Sequence, residues 1–476
     1  MNDLVFQNSL KFLKSALTKE GEFTDTAGTI QWIREQNEKV HVEITRVPFK
    51  DLKLWSLGSD ALRHDTGKFF SIDGIKVQTN WGSVNEWTQP IINQPEIGYL
   101  GFITKEFNGI LYFLMQAKIE PGNVNFVQLS PTLQATKSNY TGAHKGKSPA
   151  YLSYFQNATK ESILLDQLQS EQGGRFLKKR NRNIIIQIDD EIEVLENFVW
   201  LTLGQIKTLM KGDNLVNMDT RTVISGIPYG DYSAESIRLM NFLDDPLEYN
   251  STAKRLLESY LNKSNHINSF NDVLSFITDL KCKYDLKVTT IPLTELDQWE
   301  INDSQIQHVD GKYFRIIAAQ VEISNREVVK WSQPMVEPAQ EGICAFICKE
   351  INGILHFIVQ AKLECGNFDI IELAPTVQCL TGHFNNERSI NKLPFLNYVL
   401  ENEHKNLIYD VLQSEEGGRF YREQNRNMII LADEEISNEL PENYIWMTLN
   451  QLQKFIQYNN YINIQARSLM AAISFN

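Results

Sequence analysis

The stretch Asp166–Asn183, DQLQSEQGGRFLKKRNRN, returns as Asp410–Asn427, DVLQSEEGGRFYREQNRN. A shift of roughly 244 residues aligns long ungapped stretches of the two halves, and across Gly98–Gln134 against Gly342–Gln378 about 20 of roughly 37 positions are identical. Trp87-Thr-Gln-Pro90 meets Trp331-Ser-Gln-Pro334, Gln116-Ala-Lys118 meets Gln360-Ala-Lys362, and Pro131-Thr-Leu-Gln134 meets Pro375-Thr-Val-Gln378. After the Asn-Arg-Asn triplets the register slips by about two residues, and the match continues through Trp200–Gln205 with Trp446–Gln451 to Arg221 and Arg467. A period this long is a whole domain rather than a solenoid unit. Packing needs only an apolar period, so retained Gln, Glu, Arg and Asn point to a shared polar pocket. The reading is a helical lead over 1–27, a first repeat over 28–228, a helical linker over 229–270 and a second repeat over 271–476.

With 476 residues and 42% hydrophobic content, the chain can bury two ordinary cores. Its longest apolar runs, such as Ile110–Met115 and Met428–Ala432, are too short to span a bilayer, and Met1–Glu20 lacks the pattern of a secretory signal. Cys282, Cys344, Cys348, Cys365 and Cys379 all fall in the second repeat, odd in number and without CxxC spacing. Disulfides and zinc are therefore not expected, and a reducing cytoplasm is the expected setting. A net charge of −13 argues against a nucleic-acid binder, although a few converging arginines can still hold a small anion.

Phe102–Glu120 reads as a hairpin turning at Asn108-Gly109, repeated by Phe346–Glu364 around Asn352-Gly353. Strands are predicted at Val124–Leu129 and Phe368–Leu373, then at Asn183–Ile188 and Asn427–Leu431. Glu161–Ser170 and Lys405–Ser414 show a helical period, and the glycine pairs Gly173-Gly174 and Gly417-Gly418 suit a left-handed helix stop. Thr202-x-x-Gln205 and Thr448-x-x-Gln451 are capping boxes that predict helices over Leu203–Lys211 and Leu449–Gln457. Each repeat is thus expected to be a mixed α+β domain with a largely antiparallel sheet.

Arg175, Asn181 and Arg182, with Arg419, Asn425 and Arg426, suit an anionic ligand: guanidinium forks match phosphate, and asparagine reads a base or sugar edge. The competing reading pairs the arginines with Glu171 or Glu415 to fix a turn. Trp87 and Trp331 can stack on a base or simply fill a core. Lys118 and Lys362 share a strand face with Glu120 and Glu364. The copies diverge most after the Pro-Thr pair, where Gln134 opens a polar loop containing Tyr140 and His144, while Gln378 opens a shorter one retaining His383. Phe69 is matched by Tyr313 and Leu177 by Tyr421, so the two pockets are not chemically equivalent. No Walker loop, Rossmann fingerprint, HExxH, nucleophile elbow or Nudix glutamate box occurs.

LSPTLQATKSNYTGAHKG (129–146), LQSEQGGRF (168–176), LAPTVQ (373–378), LQSEEGGRF (412–420) with NRNMII, and WMTLNQL (446–452) together closely resemble the NDP-hexose 2,3-dehydratase family over nearly the whole chain. The resemblance implies two Nudix-like repeats, a homodimer, nucleotide-sugar pockets in both repeats and a dTDP-4-keto-6-deoxyglucose substrate. It implies C3 deprotonation beside the 4-keto group, loss of the 2-hydroxyl and a 3,4-diketo-2,6-dideoxy product, with neither nicotinamide nor metal required. On that footing His144, Tyr140, Lys118 and Glu171 are the proton-transfer and enolate-stabilising candidates. Arg175 and Arg182 are the expected diphosphate ligands, with Arg419 and Arg426 doing the same in the second pocket. Trp87, Gln134, Asn181, Trp331, Lys362, Gln378, His383, Glu415, Tyr421 and Asn425 complete the substrate-binding set. The fuller Tyr-to-His loop favours the first repeat as catalytic. A Nudix-like nucleotide-diphosphate hydrolase and a non-catalytic nucleotide-sugar-binding protein stand as the alternatives.

Overall fold

Asn108 and Gly109 both take positive φ, +50° and +79°, the pair of left-handed residues that a tight hairpin turn requires. The strands they join, Gly98–Phe107 and Ile110–Ile119, anchor the first of two matching seven-stranded sheets. The computed structural model describes residues 3–137, 148–232, 251–324, 328–380, 393–433 and 436–475. Among them each repeat contributes one seven-stranded sheet, largely antiparallel, with one parallel pairing: Arg180–Gln187 beside Gly98–Phe107, and Gln424–Leu431 beside Gly342–Ile351.

Two five-stranded sheets complete the fold, and they join the repeats by exchanging strands. Val42–Val47 leaves the first repeat to pair antiparallel with Phe314–Ile323 of the second, Ile44 opposite Val321. In return Leu286–Ile291 pairs with Ser71–Thr79 of the first, Val288 opposite Val77. One apolar core then runs through both copies, holding Phe113, Met115 and Leu201 with Phe357, Val359 and Leu449. The helices Met218–Ser225 and Ile464–Ala472 pack on each other across the repeat boundary. A second shared core sets Trp55, Phe70 and Phe176 against Trp299, Phe314 and Phe420.

Both capping boxes form, with Thr202 and Thr448 accepting from the amides of Gln205 and Gln451 ahead of the helices Leu203–Leu209 and Leu449–Ile456. The strands expected over 124–129 and 368–373 are Val127–Ser130 and Glu372–Ala374. The N-terminal lead contains the helix Asp3–Leu17, and the linker contains the helix Ser251–Leu261.

The predicted helices over 161–170 and 405–414 are instead the strands Ile163–Ser170 and Leu407–Ser414. A register irregularity between Ile163 and Leu165, and again between Leu407 and Tyr409, interrupts the alternation of apolar residues. In sequence that break imitates a helical period. The glycine pairs that follow are therefore not helix stops. Gly173 and Gly417 lie where a Cβ would collide with Asn367 and Asn123 of the opposite repeat. Gly122 N–H donates to Gly417 O at 2.7 Å, and Gly366 N–H to Gly173 O at 2.7 Å. The glycines are small because two repeats meet there.

Candidate active site

A cavity of about 620 Å³ opens beside the end of the Ile110–Ile119 strand. Its floor belongs to the first repeat: Lys118, Glu120, Gln134, Glu171, Lys179, Asn181 and Asp219. Its far wall belongs to the second repeat, where Trp331, Ser332 and Gln333 lie on the strand Lys330–Pro338 and Glu416, Gly418 and Arg419 form the glycine turn. Leu54, His64, Phe69 and Phe70 supply an aromatic and apolar flank. The site is thus shared between copies.

Its polar groups are tightly cross-braced. Lys118 Nζ donates to Gln134 O at 3.2 Å, and Gln134 Nε2 donates to Glu120 Oε1 at 2.6 Å. Asn217 Nδ2 holds Gln134 Oε1 at 3.3 Å, and Asn181 Nδ2 donates to Glu171 Oε1 at 2.7 Å. From the other repeat, Trp331 Nε1 donates to Gln333 Oε1 at 2.9 Å, and Gln333 Nε2 to Gly418 O at 2.6 Å. The Arg419 guanidinium lies 4.2 Å from the centre of the Phe70 ring, with Nε on Gln94 Oε1 at 3.2 Å.

Four carboxyl groups, Glu120, Glu171 and Asp219 from the floor and Glu416 from the far wall, line the cavity with Lys118 and Lys179. Burial pushes Glu416 up to about 8, reinforced by Glu120. Burial also raises Asp219 well above the ordinary carboxylate range, with Glu120, Glu416 and Glu171 adding to it and Lys118 opposing. Glu171 is raised by burial against the opposing pull of Lys179 and Arg467. Lys179 is lowered by burial, with Glu171 opposing. Desolvation combined with like charge shifts these carboxyl groups toward their protonated forms, the direction a general acid needs.

Lys118, Glu171, Gln134, Asn181, Trp331 and Arg419 of the expected residues thus meet in one place. Trp87, Lys362, Gln378, Glu415, Asn425 and Arg175 belong to the matching place in the second repeat. There Lys362 Nζ donates to Gln378 O at 3.0 Å, Gln378 Nε2 to Glu364 Oε1 at 3.1 Å and Trp87 Nε1 to Gln89 Oε1 at 3.0 Å. Arg175 covers Phe314 at 4.2 Å. Arg175 and Arg419 therefore each reach across to the opposite copy.

Arg182 and Arg426 face elsewhere. Arg182 forks onto Asp166 at 2.7 and 2.6 Å, and Arg426 onto Asp410 at 2.8 and 2.7 Å with Glu403 beside it. Neither lines the cavity. Tyr421 packs beside the Arg46 and Arg422 guanidiniums, away from it as well. Tyr140, His144 and His383 lie outside the described residues.

Sequence reasoning missed Asp219, Lys179, Glu416 as a member of the first pocket, and His64. Three of these show as mismatches between copies: Asp219 against Gln465, Lys179 against Glu423, and Gln172 against Glu416. At the rim, Lys53 and Lys330 of this cavity stand against Asp297 and Glu86. The first cavity collects lysines where the second repeat's counterpart collects carboxylates.

A profile of the NDP-hexose 2,3-dehydratase family matches residues 26–227 and 270–473. The chain belongs to the NDP-hexose 2,3-dehydratase family. It is 42% identical over 468 residues, 98% of this chain and 95% of the relative, to a dTDP-4-dehydro-6-deoxy-alpha-D-glucopyranose 2,3-dehydratase of Saccharopolyspora spinosa. Proteins of the same name from Amycolatopsis orientalis and Streptomyces violaceoruber are 38% and 41% identical, over 97% and 94% of this chain and 92% and 97% of theirs. Like the profile, the structure carries the family's domain twice. Among the described residues no helix is long and apolar enough to cross a membrane.

Proposed function

We propose that this chain is a dTDP-4-keto-6-deoxyglucose 2,3-dehydratase whose reaction runs in the first, composite cavity. The observation that carries this reading is the set of three buried carboxyls, Glu120, Glu171 and Asp219, with Glu416 facing them, beside Lys118 under a lysine- and arginine-bearing rim. Such a floor can move protons, and such a rim can hold a diphosphate. Lys53, Lys68, Lys330 and Arg419 are the cations that would face the two phosphates, and Trp331 with Phe69 offers flat surface for thymine.

The 4-keto group acidifies the C3 proton. Glu171 takes that proton, its basicity raised by burial, and Lys118 faces the oxygen on which enolate charge develops. Collapse of the enolate expels the 2-hydroxyl as water, leaving an enol that relaxes to the 3,4-diketo-2,6-dideoxy sugar. The reaction is redox-neutral, so its atoms balance without an external oxidant. A homodimer, a cytoplasmic setting and descent of each repeat from a Nudix-like domain accompany this reading, supported by the family resemblance and the duplicated architecture.

The test is incubation with dTDP-4-keto-6-deoxyglucose in D2O, following C3 exchange and water loss by NMR. Both are expected in the wild-type protein, and Lys118→Met should depress both. Magnesium-dependent phosphate release would instead favour a nucleotide-diphosphate hydrolase. Tight binding without exchange or elimination would favour a nucleotide-sugar sensor.

A further inference from the structure

Departure of the 2-hydroxyl needs a proton, because hydroxide is a poor leaving group and most carboxylic acids are ionised near neutrality. The donor must therefore be a carboxyl that reaches the cavity, is shielded from water and is not already engaged. Three of the four carboxyls that line the cavity accept a hydrogen bond. Glu120 accepts from Gln134, Glu171 from Asn181, and Glu416 Oε1 from the Gly418 amide at 3.0 Å, its Oε2 having no partner among the described residues. Asp219 is the most deeply buried of the four. It lines the cavity while only 3% exposed, and its Oδ1 has no hydrogen-bond partner among the described residues.

The duplication provides an internal control. Asn217 and Asn463 cap equivalent helices and hold equivalent glutamines, Gln134 and Gln378. Arg221 and Arg467 are both fully buried. Between these matched positions stands Asp219 in one copy and Gln465 in the other. Glutamine donates hydrogen bonds but cannot yield a proton. The scaffold thus tolerates a neutral amide here, and an acid is present only where the cavity also carries the lysine rim.

From this position we infer that Asp219 is the catalytic acid of the proposed dehydration, giving its proton to the departing 2-hydroxyl. This rests on the reading above that the cavity dehydrates a 4-keto sugar. The step balances as follows. The enolate electron pair reforms C4=O and builds C2=C3, the C2–O bond breaks, and the hydroxyl takes the Asp219 proton to leave as water. The enol then gives its 3-hydroxyl proton back to the Asp219 carboxylate, and C2 takes the proton that Glu171 removed from C3. The site returns to its starting protonation state.

The test separates deprotonation from elimination. Asp219→Asn, nearly isosteric, is compared with wild type on dTDP-4-keto-6-deoxyglucose in D2O. Water loss should fall at least about 100-fold while C3 exchange and dTDP binding stay within about threefold. Asp219→Glu, which restores a carboxyl, should recover part of the elimination, and Gln465→Asn should leave both rates alone. Near-normal elimination by Asp219→Asn overturns the assignment. So does joint loss of exchange and elimination, which would make Asp219 a base or a positioning residue, and so does loss of dTDP binding or of the folded circular dichroism spectrum. If wild type itself neither exchanges nor eliminates, the dehydratase reading has failed and the assignment falls with it.

Discussion

Replacing Arg467 with methionine isolates what couples the two repeats. Arg467 is 0% exposed, yet it belongs to the second repeat and bonds the first. Its Nη2 donates to Ser170 O, its Nη1 to Ile462 O and to Ser170 Oγ at 3.4 Å, and its Nε to Thr222 Oγ1 at 3.1 Å. The charge it contributes also offsets the buried carboxyls Glu372 and Glu171. Breaking a buried pair by removing one partner typically costs ~3–5 kcal/mol, because the other charge stays desolvated. A chain of 476 residues has an unfolding entropy near 1 kcal/mol/K at ~2.1 cal/mol/K per residue, so Arg467→Met should lower Tm by about 3–5 °C. The loss should depend on pH. Burial lifts Glu372 up to about 7, so at pH 6 its carboxyl is largely neutral and has little charge to strand. At pH 8 it is ionised in the wild type, and the variant should lose more there. Adding Glu372→Gln to Arg467→Met should recover at least about 1 kcal/mol in a double-mutant cycle. Calorimetry at the two pH values reads all of this. A Tm drop under about 1 °C, a larger loss at pH 6 than at pH 8, or strictly additive variants would refute the coupling.

Two further outcomes are expected. Glu416 has a folded-state pKa of about 8 against an ordinary 4.5, so its proton-bound form is favoured by folding. Stability from this group is fully present below about pH 4.5 and is lost as pH rises through about 8. Glu416→Gln, the residue type of its counterpart Gln172, should therefore stabilise the protein at pH 8 on the order of 4 kcal/mol and hardly at all at pH 4.5, read by urea unfolding. Gly122→Ala places a methyl group on the Phe420 carbonyl and disturbs the 2.7 Å bond from Arg422 N–H to Gly122 O. A loss of about 2–4 kcal/mol is expected by the same assay, and a neutral effect would show that the repeats can slide apart there without penalty.

What the sequence made legible is what a local pattern can encode. The Asn-Gly turns, the Thr-x-x-Gln boxes and the alternating strands after them each depend on a few adjacent residues, and each forms as expected. The helix expected over Glu161–Ser170 was misread for a local reason too. An irregularity at Ile163–Leu165 sets apolar residues side by side, so a half-buried strand shows the spacing of an amphipathic helix. The strand exchange had no local signature at all. Val42–Val47 and Leu286–Ile291 pair through backbone groups, and VEITRV and LKVTTI do not say whose sheet they join.

The exchange also explains why the site was only half legible. Arg175 and Asn181 sit six positions apart and read in sequence as one anion-binding constellation, yet they face different neighbours. Asn181 braces Glu171 in its own repeat, whereas Arg175 lies on Phe314 of the other. Each copy lends its glycine turn to its neighbour, so one cavity draws Glu171 from one LQSE motif and Arg419 from the other. Two such composite sites built from one ancestral motif would begin alike. Because the observed cavity needs both copies, however, a substitution in one copy alters only one side of it. Lys179 can stand opposite Glu423, and Asp219 opposite Gln465, without disturbing the buried arginines that lock the halves together. Duplication with exchange thus lets the two equivalent places drift apart in chemistry while the scaffold stays symmetric. It also makes the differences between copies, rather than the identities, the most direct guide to which residues react.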